Sequence, residues 1–373
     1  MSHFPPANGP MGMKTTAHPL HVLVIGAGYG GLLAANRLAA RGARVTLVND
    51  RPEFVDRIRL HEVIAGTRPP ERVAVPLEPR MGAGVAFLVA RATTVSESDA
   101  AARVDLTDGR TLTADHVLLA TGSGAGSGSW VWALAHRERI ATLGAGARVV
   151  VRGAGLTGLE VAAELADARP DLQVALVDPA GVGRAFSDPG RRHLLSALAR
   201  LGVALDAPDA PDHSIDCTGF TLPGLAAASG LSVDARGGVL VDATGRVEGR
   251  ERLWATGDAA RVADQPHLGW GCRAAEPMAA QTADQVLRAG RGEEPRAVSV
   301  GYALRCVSLG RRDGVIEFVE RDDTPTGRVL TGRLAVGVKE GICWVANRAT
   351  DRWSRHYVSV PGPRTAAREG ALR

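Results

Sequence analysis

The chain has 373 residues, 45% hydrophobic and 23% charged, an ordinary globular composition with room for about two or three domains of roughly 100–200 residues each. The net charge is only +4 with both signs interspersed, which leaves no basic footprint for nucleic acid. Cys217, Cys272, Cys306 and Cys343 form no C-x-x-C pair and no cluster with histidine, which argues against a zinc centre or a redox disulfide and suits reduced thiols in the cytoplasm.

In chain order, residues 1–19 carry Pro5, Pro6, Gly9, Pro10 and Gly12 and lack the apolar stretch of a secretion signal. A disordered tail is expected there. No apolar run approaches the ~18 residues of a membrane span. His21 to Ile25 reads as a strand and leads into Gly26-Ala27-Gly28-Tyr29-Gly30-Gly31. Leu32 to Arg41 then reads as a helix and Arg44 to Val48 as a second strand. This strand–glycine loop–helix–strand unit is the setting in which G-x-G-x-x-G binds a dinucleotide. Gly26 permits the tight turn, Gly28 lets backbone approach a pyrophosphate, and Gly31 lets helix and strand pack closely. The helix start offers free N–H groups to the phosphates. At the end of the second strand, Asn49 holds the ribose-binding position by register, with Asp50 next to it as the alternative.

Ala114 to Leu119 is a further strand, ending in Ala120-Thr121-Gly122-Ser123. A linker rich in Gly and Ser follows. A second unit begins at Ala147: strand Arg148 to Val151, Gly153-Ala154-Gly155-Leu156-Thr157-Gly158-Leu159-Glu160, a helix through Ala168, and strand Gln173 to Val177 ending in Asp178. An aspartate there suits a ribose 2′-hydroxyl and repels a 2′-phosphate, which favours NADH over NADPH. Asp206 to Asp212 is a short Pro/Asp loop where more strands would fit a larger nucleotide domain. Ser214 to Cys217 is a strand with the turn Thr218-Gly219, and Arg252 to Ala255 runs into Thr256-Gly257-Asp258. The end of the chain reads as strands at Val298–Val300, Leu304–Leu309, Val315–Val319 and Val329–Leu330, then a strand and short helix over Gly332 to Cys343. It shows no long apolar face for membrane docking.

The order of these pieces resembles the two-dinucleotide-binding-domain flavoproteins, and within them the type II NADH dehydrogenase and apoptosis-inducing-factor-like quinone reductases, over about residues 20 to 345. The resemblance implies an α/β fold of two Rossmann-like domains, the second inserted in the first, plus a C-terminal α+β cap. The expected division is 20–122 and 247–296 for FAD, 147–220 for a trimmed NAD(H) unit, 221–246 as the return, and 297–373 as the cap. It also implies roles. Gly26, Gly28 and Gly31 hold the FAD pyrophosphate. Thr121 and Gly122 form the crossover. Gly153, Gly155, Gly158, Glu160 and Asp178 belong to the NADH site. Gly257 and Asp258 close the FAD site, with Asp258 on the ribityl chain. Gly269 to Gln285 is the helix beginning under the flavin ring, and Arg59-Leu60-His61 lies near the isoalloxazine.

The implied activity passes electrons from NADH through FAD to a quinone-like or other small acceptor. Two other readings stay open: a flavoenzyme of specialised metabolism working without NADH, and a non-catalytic flavin-binding interaction protein. The flavin carries the chemistry, so no side-chain acid is required for hydride transfer. His61 and His267 are the candidates for a proton donor. The partners expected are a small-molecule acceptor or substrate and, at most, a second copy of the chain. Nucleic acid and a stable membrane anchor are not expected.

Overall fold

The computed structural model describes residues 18–123, 126, 128–351 and 353–363. The expected N-terminal tail up to residue 17, and the chain from residue 364, lie outside the described residues.

The first sheet is built around His21–Ile25. Arg44–Asn49 and then Val85–Val89 lie on one side of it, and His116–Leu119 and then Leu253–Ala255 on the other, all parallel. Val22, Leu23, Val24 and Ile25 are each 4% exposed or less. A strand buried on both faces reads as a continuous apolar run, as HVLVI does. The helix Tyr29–Ala39 covers one face and packs on Cys272–Gly290. Small residues permit that approach: a Cβ on Gly30 would lie 3.3 Å from the Ala275 carbonyl oxygen and 3.4 Å from the Ala279 methyl. A three-stranded antiparallel sheet, Ala92–Glu97, Ala102–Leu106 and Thr111–Ala114, fills the stretch before the fourth strand. The sequence reading passed over it, although Ala102, Val104 and Leu106 point inward while Arg103 points out.

The second sheet has Arg148–Arg152 at its centre, with Gln173–Val177 and His213–Asp216 as parallel neighbours. Helix Leu156–Ala168 packs on it, and Asp188–Arg200, capped by Ser187, shares its apolar cluster and lies against Gly314–Val319 and Pro325–Thr331. Residues 205–212 hold no strand. The linker before this sheet is more ordered than its composition suggested. It carries the helix Trp130–Ala141, whose start is fixed by Ser129 Oγ accepting from the Trp132 amide at 3.1 Å, an ordinary N-cap.

The C-terminal part corrects the sequence reading in three places. The antiparallel sheet Leu304–Ser308, Gly314–Val319 and Pro325–Thr331 forms as expected. Residues 298–300, however, lie outside any strand, tied by Gln281 Oε1 accepting from the Ser299 amide at 2.7 Å. Gly332–Ala349 is one 18-residue helix rather than a strand and short helix. Its three glycines and β-branched residues weigh against a helix, but a stripe of Ala335, Lys339, Cys343, Ala346 and Ala349 is buried, and that packing decides. The opposite side exposes Leu334 (71%), Val338, Trp344 and Val345. The end of the chain therefore does carry an apolar face. Among the described residues, no helix is long and apolar enough to cross a membrane.

Candidate functional site

The two glycine loops have the same geometry, contact for contact. Gly26 has φ +101° and Gly153 φ +93°, backbone that L side chains rarely adopt. Each donates its N–H to the end of its second strand, Gly26 to the Val48 carbonyl and Gly153 to the Val177 carbonyl, both at 2.8 Å. A Cβ on Gly26 would lie 2.5 Å from the Ala120 carbonyl oxygen, and one on Gly153 2.7 Å from that of Cys217. Each loop thus rests against the residue before its crossover turn, Thr121-Gly122 or Thr218-Gly219. The third glycines are tighter still: a Cβ on Gly31 or Gly158 would come 1.8 Å from the carbonyl oxygen of Gly26 or Gly153. The middle glycines differ in kind. A Cβ on Gly28 or Gly155 would meet no atom within 4 Å. These two positions open onto free space beside a helix N-terminus, where a pyrophosphate needs close backbone. Both loops therefore fit a dinucleotide.

The strand-end residues are also matched. Asn49 Oδ1 accepts from the Ala27 amide at 2.9 Å, and Asp178 Oδ2 from the Ala154 amide at 2.8 Å. Asn49 thus takes the place equivalent to Asp178, and Asp50 instead pairs with Arg91 at 2.8 Å and Arg51 at 3.4 Å. Hydrogen bonds from the Ala154 and Ala180 amides hold the Asp178 carboxyl below the usual range.

Asp258 sits where the strand Leu253–Ala255 ends, 8% exposed. Gly257 before it has φ +64°, and a Cβ there would lie 3.2 Å from the Ala275 methyl. One Asp258 oxygen accepts from Ser123 Oγ at 2.6 Å and the other from the Gly271 amide at 2.8 Å. The carboxylate therefore joins the first crossover to the start of Cys272–Gly290, and each oxygen keeps lone-pair capacity for a hydroxyl. Gly122, φ +60°, lies next to Ser123. Arg57, which the sequence reading did not single out, donates to the Ser123 carbonyl at 3.0 Å, to Ser123 Oγ at 3.2 Å and to the Gly128 carbonyl at 3.0 Å. Phe220, also not singled out, stacks on Trp270 with ring centres 5.6 Å apart. No sequence pattern signals either, because their partners are far along the chain.

The remaining expected site residues have partners within the protein. Glu160, two residues past Gly158 on the helix Leu156–Ala168, is ion-paired with Lys339 of the C-terminal helix. It also accepts from the Ser308 amide at 3.2 Å and lies 3.6 Å from His61 Nδ1. Burial works against its charge, but Lys339 and His61 hold its carboxyl below the usual range. Arg59 is taken by both oxygens of Glu340 at 2.7 Å and by Glu62 at 2.7 Å. His61 is 5% exposed, and burial pushes its pKa down to about 4. His61 is therefore neutral at neutral pH. His267 Nε2 lies 2.8 Å from the Val300 carbonyl oxygen. The four cysteines are free, and burial raises the pKa of each thiol, that of Cys217 and Cys343 to about 12.

Residues 20–210, more than half of the chain, match the family model described as pyridine nucleotide-disulphide oxidoreductase. The chain belongs to this family. Among curated relatives, it is 23% identical over 363 residues to the NADH dehydrogenase-like protein YutJ of Bacillus subtilis, covering 87% of this chain and 98% of that one. It is 29% identical over 180 residues to the type II NADH:quinone oxidoreductase of Staphylococcus epidermidis, covering 40% of this chain and 44% of that one. The ferredoxin reductase component of chlorobenzene dioxygenase from a Cupriavidus strain is 29% identical over 367 residues, covering 85% of this chain and 87% of that one. The fold is shared with the sulfide:quinone oxidoreductase of Aquifex aeolicus, at TM-score 0.74 and 18% identity over 93% of this chain and all of that one. The four cysteines are free of one another.

Proposed function

We propose that this oxidoreductase takes hydride from NADH onto FAD and passes the electrons to a quinone-like or other small acceptor. The observation that carries the reading is the repeated loop geometry: two dinucleotide cradles, each with a crowded first and third glycine and an open middle one. In this reading Gly26, Gly28 and Gly31 hold the FAD pyrophosphate and Asn49 serves its ribose. Thr121, Gly122, Gly257 and Asp258 close the flavin half. Gly153, Gly155, Gly158 and Asp178 receive NADH. Residues 20–122 and 247–296 form the FAD unit, 147–220 the nucleotide unit and 297–373 the cap. Bound FAD supplies the hydride-accepting ring. The protein's part is to orient the two dinucleotides and exclude water. Glu160 and Arg59, committed to Lys339 and Glu340, tie these units to the cap. Protonated free thiols accord with a reducing cytoplasm.

The test is anaerobic mixing with NADH or NADPH while flavin absorbance is followed. NADH bleaches the flavin faster, because Asp178 disfavours the 2′-phosphate, and Asp178→Ala narrows the preference. Reduction by dithionite but by neither nucleotide overturns the NADH assignment. It would favour a flavoenzyme of specialised metabolism, a reading that the short 205–212 segment supports.

Asp258→Ala is expected to weaken FAD retention. It removes the acceptor of two protein hydrogen bonds and one charge-assisted bond to the ribityl chain, about 1.5–3 kcal/mol for the latter. Equilibrium dialysis of FAD against the folded variant measures it, and unchanged affinity removes Asp258 from the flavin site.

A further inference from the structure

Beside the start of Cys272–Gly290 lies a cluster of buried acids and phenols that the reading above leaves without a task. Glu276 stands one turn along this helix from Cys272, on the same face, and is 4% exposed. Tyr357, from the segment after the C-terminal helix, hydrogen-bonds the Glu276 carboxyl. Glu276 Oε1 is buried without a hydrogen-bond partner. Asp56 faces the same space, but its oxygens are already used. Tyr29 donates its hydroxyl to one, and the Asn347 amide donates to the other at 3.2 Å.

A carboxyl held this way costs stability. An unpaired buried polar atom is worth about 1–3 kcal/mol against the fold, and glutamine or methionine would pack there without a charge to suppress. The groups acting on Glu276 are Asp56, Tyr357, Tyr29 and Cys272. None of these is a cation that would draw off its proton. Burial first, and Asp56 as well, push its pKa up to about 8, against a smaller opposing effect of Tyr357. Glu276 therefore keeps its proton at neutral pH, with the bare oxygen free to present it. The alternatives in the neighbourhood are spent. His61 is neutral at pH 7, His267 is bound to the Val300 carbonyl, and Asp56 has both oxygens engaged.

We propose that Glu276 delivers the solvent-derived proton to the acceptor, which must then be a quinone-like carbonyl compound that takes up two electrons and two protons. The proposal rests on the NADH-to-acceptor reading above. The balance is NADH + H⁺ + quinone → NAD⁺ + hydroquinone. NADH contributes the two electrons and one proton's worth of hydrogen, and the remaining H⁺ is the one that passes through Glu276. Its O–H breaks as the O–H bond on the acceptor forms. The carboxylate is then reprotonated from solvent by way of Tyr357, a half-buried residue whose side chain hydrogen-bonds the Glu276 carboxyl.

The experiment compares wild type with Glu276→Gln, which keeps the shape and mimics the neutral acid. Each is reduced anaerobically, once by NADH and once by dithionite, and mixed with a short-chain quinone or with ferricyanide, which takes electrons without protons. The quinone-to-ferricyanide rate ratio is expected to fall on the order of 100-fold in Glu276→Gln. The wild-type quinone rate falls as pH rises through about 8, a break the variant lacks. In infrared difference spectra, a protonated-carboxyl band disappears across the same pH range in wild type only. An unchanged rate ratio together with an unchanged pH break in Glu276→Gln overturns the proposal. If dithionite-reduced enzyme shows the Glu276-dependent break while NADH fails to reduce the flavin, the proton role stands and the electron-donor reading falls.

Discussion

Gly28→Val is expected to give a folded, colourless protein. The two kinds of glycine in the loop make this sharp. A Cβ at Gly31 would collide with the Gly26 carbonyl oxygen at 1.8 Å, so a side chain there breaks the loop itself. A Cβ at Gly28 meets nothing of the protein within 4 Å, and φ at Gly28 is −75°, a backbone any residue adopts. Valine therefore fits the fold, and its methyls occupy the space the pyrophosphate needs. The loss is of FAD binding altogether rather than of a few tenths of a kcal/mol. Circular dichroism and thermal melting, set beside flavin fluorescence after denaturation, separate the two effects. A Gly28→Val protein that folds and still releases FAD would remove this loop from the cofactor site. The same substitution at Gly155 should leave the protein yellow and deaf to NADH.

Lys339→Met should be among the most destabilising single changes, at about 3–5 kcal/mol. The Lys339 and Glu160 side chains are 8% and 13% exposed and ion-paired. Removing the cation leaves a carboxylate buried beside the Ser308 amide and a neutral His61. The pair itself need not be strongly stabilising, because desolvating both charges offsets most of their attraction. The double variant Glu160→Gln/Lys339→Met should therefore recover most of the loss, measured by chemical denaturation. If the single variant unfolds at the wild-type midpoint, Glu160 is solvated in solution and the cap is not tied down there. The pH dependence has a definite sign. Burial lowers the Lys339 pKa, but Glu160, with Cys306 and Cys343, more than restores it, leaving it raised. Its contribution is full below pH 10.5 and lost as pH rises through the folded value. The Glu160 pKa is lowered, so its contribution is present above pH 4.5 and lost as pH falls through the folded value.

Several features were legible before any coordinates. Both glycine loops, the strand Gln173–Val177 and the return of the chain at Thr256-Gly257-Asp258 stand where the sequence places them. Asn49, at the end of its strand, bonds the Ala27 amide as Asp178 bonds that of Ala154. Other features were not legible. The helix Gly332–Ala349 has a local sequence that argues for something shorter, and the linker helix Trp130–Ala141 hides behind a run of glycine and serine.

The division has a physical cause. A dinucleotide loop is a local object. Its demands are a positive φ, a missing Cβ and a helix start within six residues, so glycine spacing alone discloses it. The charges and their partners are not local. Lys339 meets Glu160 across 179 residues, Ser123 meets Asp258 across 135, and Tyr29 meets Asp56 across 27. Nothing in the sequence near Glu160 says that its carboxylate turns to the cap. Nothing near Glu276 says that it is buried with an oxygen to spare. Whether an acid is a charge or a proton store depends on what packs around it, and only the tertiary structure brings those neighbours together.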